Sequence, residues 1–160
     1  MNISKDLEEQ IELIVNDEGL VLYDLLSLKE DSRDIFRVVV TLPKESDSSN
    51  RLNATSIDID KCAKISRLIS PLLDVEGAMN AEYNLEVSSP GIERKLKTTK
   101  HFILSIGEML KIKDFNGDVI KGRLIKADNN EIFLSTKHGE ESISYDEIST
   151  ASTFFQWNKR

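Results

Sequence analysis

Residues 83–96 read Tyr83-Asn84-Leu85-Glu86-Val87-Ser88-Ser89-Pro90-Gly91-Ile92-Glu93-Arg94-Lys95-Leu96, and the break in the middle of this stretch decides the fold. Tyr83, Leu85 and Val87 point one way from a short strand while Asn84, Glu86 and Ser88 point the other, the period of two of a half-buried strand. The alternation stops at Ser88. Ser89-Pro90-Gly91-Ile92 then fits a tight turn, because proline presets the first central dihedral and glycine accepts a positive φ at the second. Before this turn helical and strand patterns alternate, and after it only short strand candidates follow. The spacing therefore predicts an α+β protein in two parts: an N-terminal α/β domain over residues 1–90, an interdomain turn and linker over 91–100, and a C-terminal all-β domain over 101–160.

Working back from Tyr83, Asp58 can cap a helix in which Cys62, Ile65, Ile69, Leu72 and Leu73 form one apolar stripe. Pro71 lacks the amide hydrogen that a helix needs and crowds the preceding turn, so a kink or an early end near Ser70 is expected. Residues 74–80 read as a turn. Pro43 to Ser56 has no apolar periodicity and is rich in Ser, Asn and Asp, which predicts a mobile surface loop. Leu20 to Leu28 and Ile35 to Leu42, the latter with Phe36, Val38, Val40 and Leu42 on one face, read as a hairpin across the polar Lys29 to Asp34. Leu7, Ile11, Ile14 and Val15 recur at helical spacing between an N-cap at Ser4 and a stop at Gly19. The order is α-β-β-α-β.

Forward from Arg94, strand candidates at Met109 to Lys113, Val119 to Ala127, Glu131 to Thr136 and Glu141 to Tyr145 are separated by turn-formers. Asn116-Gly117, Asp128-Asn129-Asn130 and His138-Gly139 are hairpin signals, and their close spacing predicts a small all-β barrel. No internal repeat or low-complexity tract is seen.

Charge divides the chain at the same place. Residues 1–90 carry 9 Lys and Arg against 18 Asp and Glu, and residues 91–160 carry 12 against 10, so the halves stand at -9 and +2 within a total of -7. A total of -7 argues against coating nucleic acid by bulk electrostatics, but leaves room for a local basic surface. The acidic half suits a basic partner unless its carboxylates serve only solubility, and the residues leave both readings open. No apolar run approaches the roughly 20 residues of a membrane span, the first residues lack a signal-peptide layout, and the single cysteine, Cys62, cannot make an internal disulfide. The expected location is the cytoplasm.

Chemistry-bearing patterns are sparse. No nucleophile elbow, phosphate-binding glycine loop or paired-histidine metal motif occurs, so we expect no catalytic residues, no metal and no cofactor. His101 and His138 lie far apart without a neighbouring Cys or His, and Cys62 sits in an apolar helix stripe, so each is read as part of the fold. Phe154, Phe155 and Trp157 are too close together for a spaced stacking platform and are expected to close a core or a domain interface. Arg94, Lys95, Lys97 and Lys100 place four cations within seven positions, and Lys111, Lys113, Lys121, Arg123 and Lys126 follow on or beside strands. These nine residues are the candidate RNA- or ribosome-binding set. Phosphate contact and plain solvation both remain open for them.

The run Glu86-Val87-Ser88-Ser89-Pro90-Gly91, with Tyr83 and Leu85 before it and Arg94 and Leu96 after, resembles the signature of the ribosome maturation factor RimP family. Asp60-Lys61-Cys62 to Ser66, then Leu72-Leu73-Asp74, resembles that family's second helix. The resemblance implies a K-homology-like N-terminal α/β domain, a C-terminal SH3-like (Sm-like) barrel, and binding to ribosomal RNA and a basic ribosomal protein of the free small ribosomal subunit, to assist its assembly without catalysis. We expect a monomer with no membrane partner. The chain departs from the family where Pro43 to Ser56 exceeds the usual tight connection and where Lys95 stands in place of a commoner proline. It also lacks a Gly-x-x-Gly nucleotide clamp in its first domain. The alternative function is a general Sm-like RNA-binding module that assembles into rings.

Overall fold

A computed structural model describes residues 3–43, 57–76 and 82–156. The stretch expected as a loop lies, from Lys44 to Ser56, outside the described residues, as do residues 77–80 of the expected turn and Trp157. The chain forms two compact units, Met1–Pro90 and Gly91–Arg160.

In the first unit, helix α1 (Lys5–Asp17) begins where the Ser4 hydroxyl accepts the Leu7 amide. It ends at Gly19, whose φ of +75° suits a residue without Cβ. Strands β1 (Val21–Glu30) and β2 (Arg33–Thr41) pair antiparallel around a two-residue turn in which Asp31 and Ser32 have φ of 47° and 66°. The polar stretch expected as a longer connection is thus mostly strand, because positive φ at both central residues lets a two-residue loop follow the strand twist. Helix α2 (Ile59–Glu76) crosses over to β3 (Tyr83–Ser88), which lies parallel to β2 and leaves β2 at the centre of a three-stranded sheet.

Helix α2 runs through Pro71 to Glu76, so of the two expected outcomes, a kink or an early end near Ser70, the early end is corrected. Leu73, beyond the proline, is buried with Ile65 and Ile69, and burying such a side chain contributes about 1.5–3 kcal/mol, comparable to the cost of about 3 kcal/mol for an interior proline. The Tyr83 hydroxyl from β3 also reaches the last turns, 3.1 Å from Asp74 Oδ1 and 3.4 Å from the Ser70 carbonyl. One core joins Leu7, Ile11 and Val15 of α1 and the α2 stripe to Leu22, Phe36, Val38 and Val40, with Leu85 and Val87 packed against it.

The second unit contains α3 (Thr99–Leu104) and strands β4 (Met109–Asp114), β5 (Val119–Ala127), β6 (Glu131–Thr136), β7 (Gly139–Ser144) and β8 (Ile148–Thr153). Neither α3 nor β8 was expected from sequence. Six residues are too few for helical periodicity to show, and Ile148-Ser149-Thr150-Ala151-Ser152-Thr153 carries only small or polar groups after its first residue. The antiparallel order is β7-β6-β5-β4-β8, and among the described residues β7 does not pair with β8. The sheet is open, which corrects the expectation of a closed barrel. Residues 148–153 pair with β4 instead, and this pairing holds β8 at one edge.

The second core gathers Leu96, Phe102, Leu110, Ile112, Leu124, Ile132, Leu134, Ile143 and Ala151. Phe102 meets Tyr145 edge to face at 5.3 Å, and the Tyr145 hydroxyl donates to the Asp128 carbonyl at 2.7 Å. Gly91 does not have a positive φ, and the bend sits at Ile92 and Glu93. The expected reason for a glycine at 91 therefore fails. A Cβ there would meet only the Glu93 carbonyl at 3.5 Å, whereas a Cβ on Gly122 of β5 would lie 2.7 Å from the Ser135 carbonyl of β6.

Two outcomes follow from this geometry. Gly122→Ala should destabilise the second unit by about 1–3 kcal/mol through overpacking, while Gly91→Ala should leave the melting curve unchanged; thermal unfolding followed by circular dichroism compares them. The Asp128 carboxylate accepts the Asn130 and Glu131 amides at 2.8 and 2.9 Å, which holds its pKa below the usual carboxylate value. Its contribution is present above the unfolded value and lost as pH falls through the lowered folded one. The protection of the Glu131 amide, its exchange rate compared with that of an unfolded chain at the same pH, should therefore fall in acid, and a protection independent of pH in Asp128→Asn locates the cause.

Candidate functional site

Strand register sorts the candidate cations. Leu110 and Ile112 of β4, and Leu124 of β5, face the core, so their neighbours along each strand face solvent. Lys111 pairs directly with Lys121, Lys113 with Val119, and Met109 with Arg123. On the other side of β4, Lys111 pairs with Ser152 and Lys113 with Thr150, and Ser152 in turn bridges to Lys95. Lys95, Lys111 and Lys121 thus lie in one row across the sheet, flanked by Lys113 and Arg123. A bulge at Ile125 keeps Lys126 on the same face, opposite Phe133.

Two lysines directly opposite each other on paired strands repel, at a cost within the roughly 0.2–1 kcal/mol range of such pairs. Among the described residues no ion pair is seen for Lys95, Lys97, Lys111, Lys113, Lys121, Arg123 or Lys126. The Lys121 ammonium lies over the Phe154 ring at 5.8 Å and that of Lys126 over Phe133 at 5.2 Å. Arg123 donates to the Gly107 carbonyl at 2.6 Å. Toward β6 and β7 the same face turns acidic, with Glu131 and Glu140. Lys97 is exposed and lines, with Lys95, Thr98, Ser149 and Thr150, a groove beside the outer edge of β8. Lys100 is half-buried on α3, outside the row.

Arg94 has a different place. Its guanidinium makes a two-pronged contact with Glu108, at 3.1 and 2.6 Å, and donates to Ser105 Oγ at 2.8 Å and to the Gly91 carbonyl at 3.1 Å. Its side chain is 15% exposed. The expectation that Arg94 joins a phosphate-binding cluster is corrected on this ground, since its donors are directed into the fold. Thr153 completes the arrangement. It is buried, accepts the Arg94 amide at 3.1 Å and donates its hydroxyl to the Ile92 carbonyl at 2.7 Å, while the Leu96 amide donates to the Ala151 carbonyl. Neither Glu108 nor Thr153 was singled out from sequence, because each lies far along the chain from Arg94 and belongs to no local pattern.

Several other residues of the 83–96 stretch also have structural partners. Tyr83, Leu85 and Val87 pack on the first core, and Glu86 accepts from Arg37 at 2.9 Å, which raises the arginine pKa further. Ser88 pairs with Val39 at the end of β3, and Ser89 and Pro90 follow outside regular structure. Of the groups read as part of the fold, His101 is buried with Nδ1 accepting the Lys97 amide at 3.1 Å, and burial pushes the half-buried Cys62 thiol upward.

The model of the RimP N-terminal domain matches residues 10–93, more than half of the chain, from within α1 to just beyond β3. The chain belongs to the RimP family. This is a family of ribosome maturation factors, so a ribosome-related partner follows. The match covers the α-β-β-α-β unit and stops before the basic sheet, whose assignment rests on its own geometry.

Replacing Arg94 tests its structural role. Arg94→Lys keeps the charge but not the planar fork, and should destabilise the second unit by about 1–2 kcal/mol, less than the 3–5 kcal/mol for breaking a fully buried pair. The discount reflects the 40% exposure of Glu108. Denaturant unfolding of Arg94→Lys, Glu108→Gln and the double variant should show strong coupling between the two positions.

Proposed function

We propose that the protein binds the free small ribosomal subunit during its assembly and promotes maturation by preferential binding, without making or breaking bonds. The supporting observation is the cationic outward face of β4 and β5 in a chain of the RimP family. A factor that holds an immature arrangement of ribosomal RNA and protein more tightly than the mature one shifts the population, and its release accompanies maturation. The lysine row suits ribosomal RNA, and the acidic first unit suits a basic ribosomal protein. In this reading Lys95, Lys97, Lys100, Lys111, Lys113, Lys121, Arg123 and Lys126 belong to the RNA-facing set, and Arg94 supports it from within the fold. The first unit is read as K-homology-like and the second as an SH3-like or Sm-like strand arrangement with an open sheet. Among the described residues no helix is long and apolar enough to cross a membrane. The proposed setting is the cytoplasm.

A ring-forming Sm-like module would need strand edges free to pair between copies. Arg94 to Leu96 already hydrogen-bond to Ala151 and Thr153 on β8, which favours a monomer. Light scattering should give the mass of one chain.

Cosedimentation with free small subunits, free large subunits and assembled ribosomes tests the central claim. Binding to free small subunits alone is expected, and equal recovery with all three particles would overturn it. Replacing Lys111, Lys113 and Lys121 with Gln should weaken recovery and its salt sensitivity, whereas Lys5→Gln and Lys29→Gln in the first unit should leave both unchanged.

A further inference from the structure

We propose that the outward face of β4 and β5 takes the sugar-phosphate backbone of base-paired RNA and does not stack the bases of a single strand. The inference rests on the reading of this face as an RNA surface and adds which form of RNA it fits.

Proteins that hold single strands combine a basic track with open aromatic rings on which successive bases stack. On the strands of this face the track comes without open rings, since the exposed Phe115 lies in the β4–β5 turn and Phe155 beyond β8. Phe133 and Phe154 are half-buried, and each ring has a lysine ammonium over it, at 5.2 Å for Lys126 and 5.8 Å for Lys121. A base stacking on either ring would have to displace a cation that also serves the phosphates. The other outward groups of the basic region include the hydroxyls Ser152 between Lys95 and Lys111, Thr150 beside Lys113 and Ser135 beside Arg123, together with the apolar Met109 opposite Arg123 and Val119 opposite Lys113.

Duplex RNA is recognised by phosphate and 2′-hydroxyl contacts across its broad minor groove, with little need for base edges. Hydroxyls interleaved with cations match that chemistry. Strands lie about 4.8 Å apart and successive outward residues on one strand about 6.6–6.8 Å apart, so the cations form a grid and not a single line. A grid can meet two backbones at once. The directly opposed Lys111 and Lys121 repel in the free protein, and a phosphate placed between them would relieve that repulsion.

Fluorescence anisotropy of the full chain with a labelled RNA duplex of about 16 base pairs, and with one of its strands chosen to be unstructured, tests this. The duplex should bind at least about tenfold more tightly at low salt. Lys111→Gln/Lys121→Gln should lower the slope of log affinity against log salt for the duplex by about 1.4–1.8, from roughly 0.7–0.9 per contact. Its melting temperature should not fall below that of the parent, which separates a lost contact from a lost fold. Equal or tighter binding of the single strand, with a slope that still depends on the two lysines, would overturn the duplex assignment and leave the RNA surface standing. Binding of neither RNA would overturn both. An unchanged slope in the double variant would overturn the placement on β4 and β5.

Discussion

One-sided burial of the β4–β5 hairpin is the constraint on which the second unit and its candidate surface depend. Leu110, Ile112 and Leu124 are dry, and the residues between them alternate outward as Lys111, Lys113, Lys121 and Arg123. A slip of one residue in register would carry these cations into the core, where uncompensated charge costs far more than the hairpin gains. The pattern that excludes such a slip also collects the charge. Burial of the apolar set and display of the basic set are therefore one event, and the surface needs no further device to assemble it.

The most recognisable part of the chain has another role. Tyr83, Leu85 and Val87 fill the first core, Glu86 holds Arg37, and Arg94 and Leu96 fasten their segment to β8 of the second unit. Arg94 is the instructive case. Three lysines follow it within six positions, yet Glu108 and Ser105 engage its guanidinium through hydrogen bonds that a lysine could not reproduce together, while Thr153 accepts its backbone amide. A family signature can thus mark what a fold requires, while the proposed RNA-facing row, Lys95 aside, lies on residues outside it. Here the matched region ends at residue 93 and the lysine row lies wholly beyond it.

Local pattern was sufficient where apolar residues repeat at a clear period. Helix α1 with its Ser4 cap, the alternating β2, the short β3 and the β4 to β7 strands were all legible, because each must present one dry face and the side chains record it. The misses share a cause. Pro71 stays inside α2 because Leu73 remains buried beyond it, β8 forms because β4 offers an edge, and Gly122 is tightly placed because the Ser135 carbonyl approaches it. Each depends on a neighbour distant in the chain.

The sequence by itself determined the α-β-β-α-β order, the change to short strands after Gly91, the division of charge between the halves and the set of cations that a binding surface can draw on. Only the tertiary structure decided which cations meet. Cross-strand register set Lys111 against Lys121 and brought Lys95 into their row through Ser152, while Glu108 withdrew Arg94 from the set. The physical reason is that periodicity reports which face a residue occupies, whereas pairing partners, sheet closure and the fate of an individual charge are set by contacts between segments far apart in the chain.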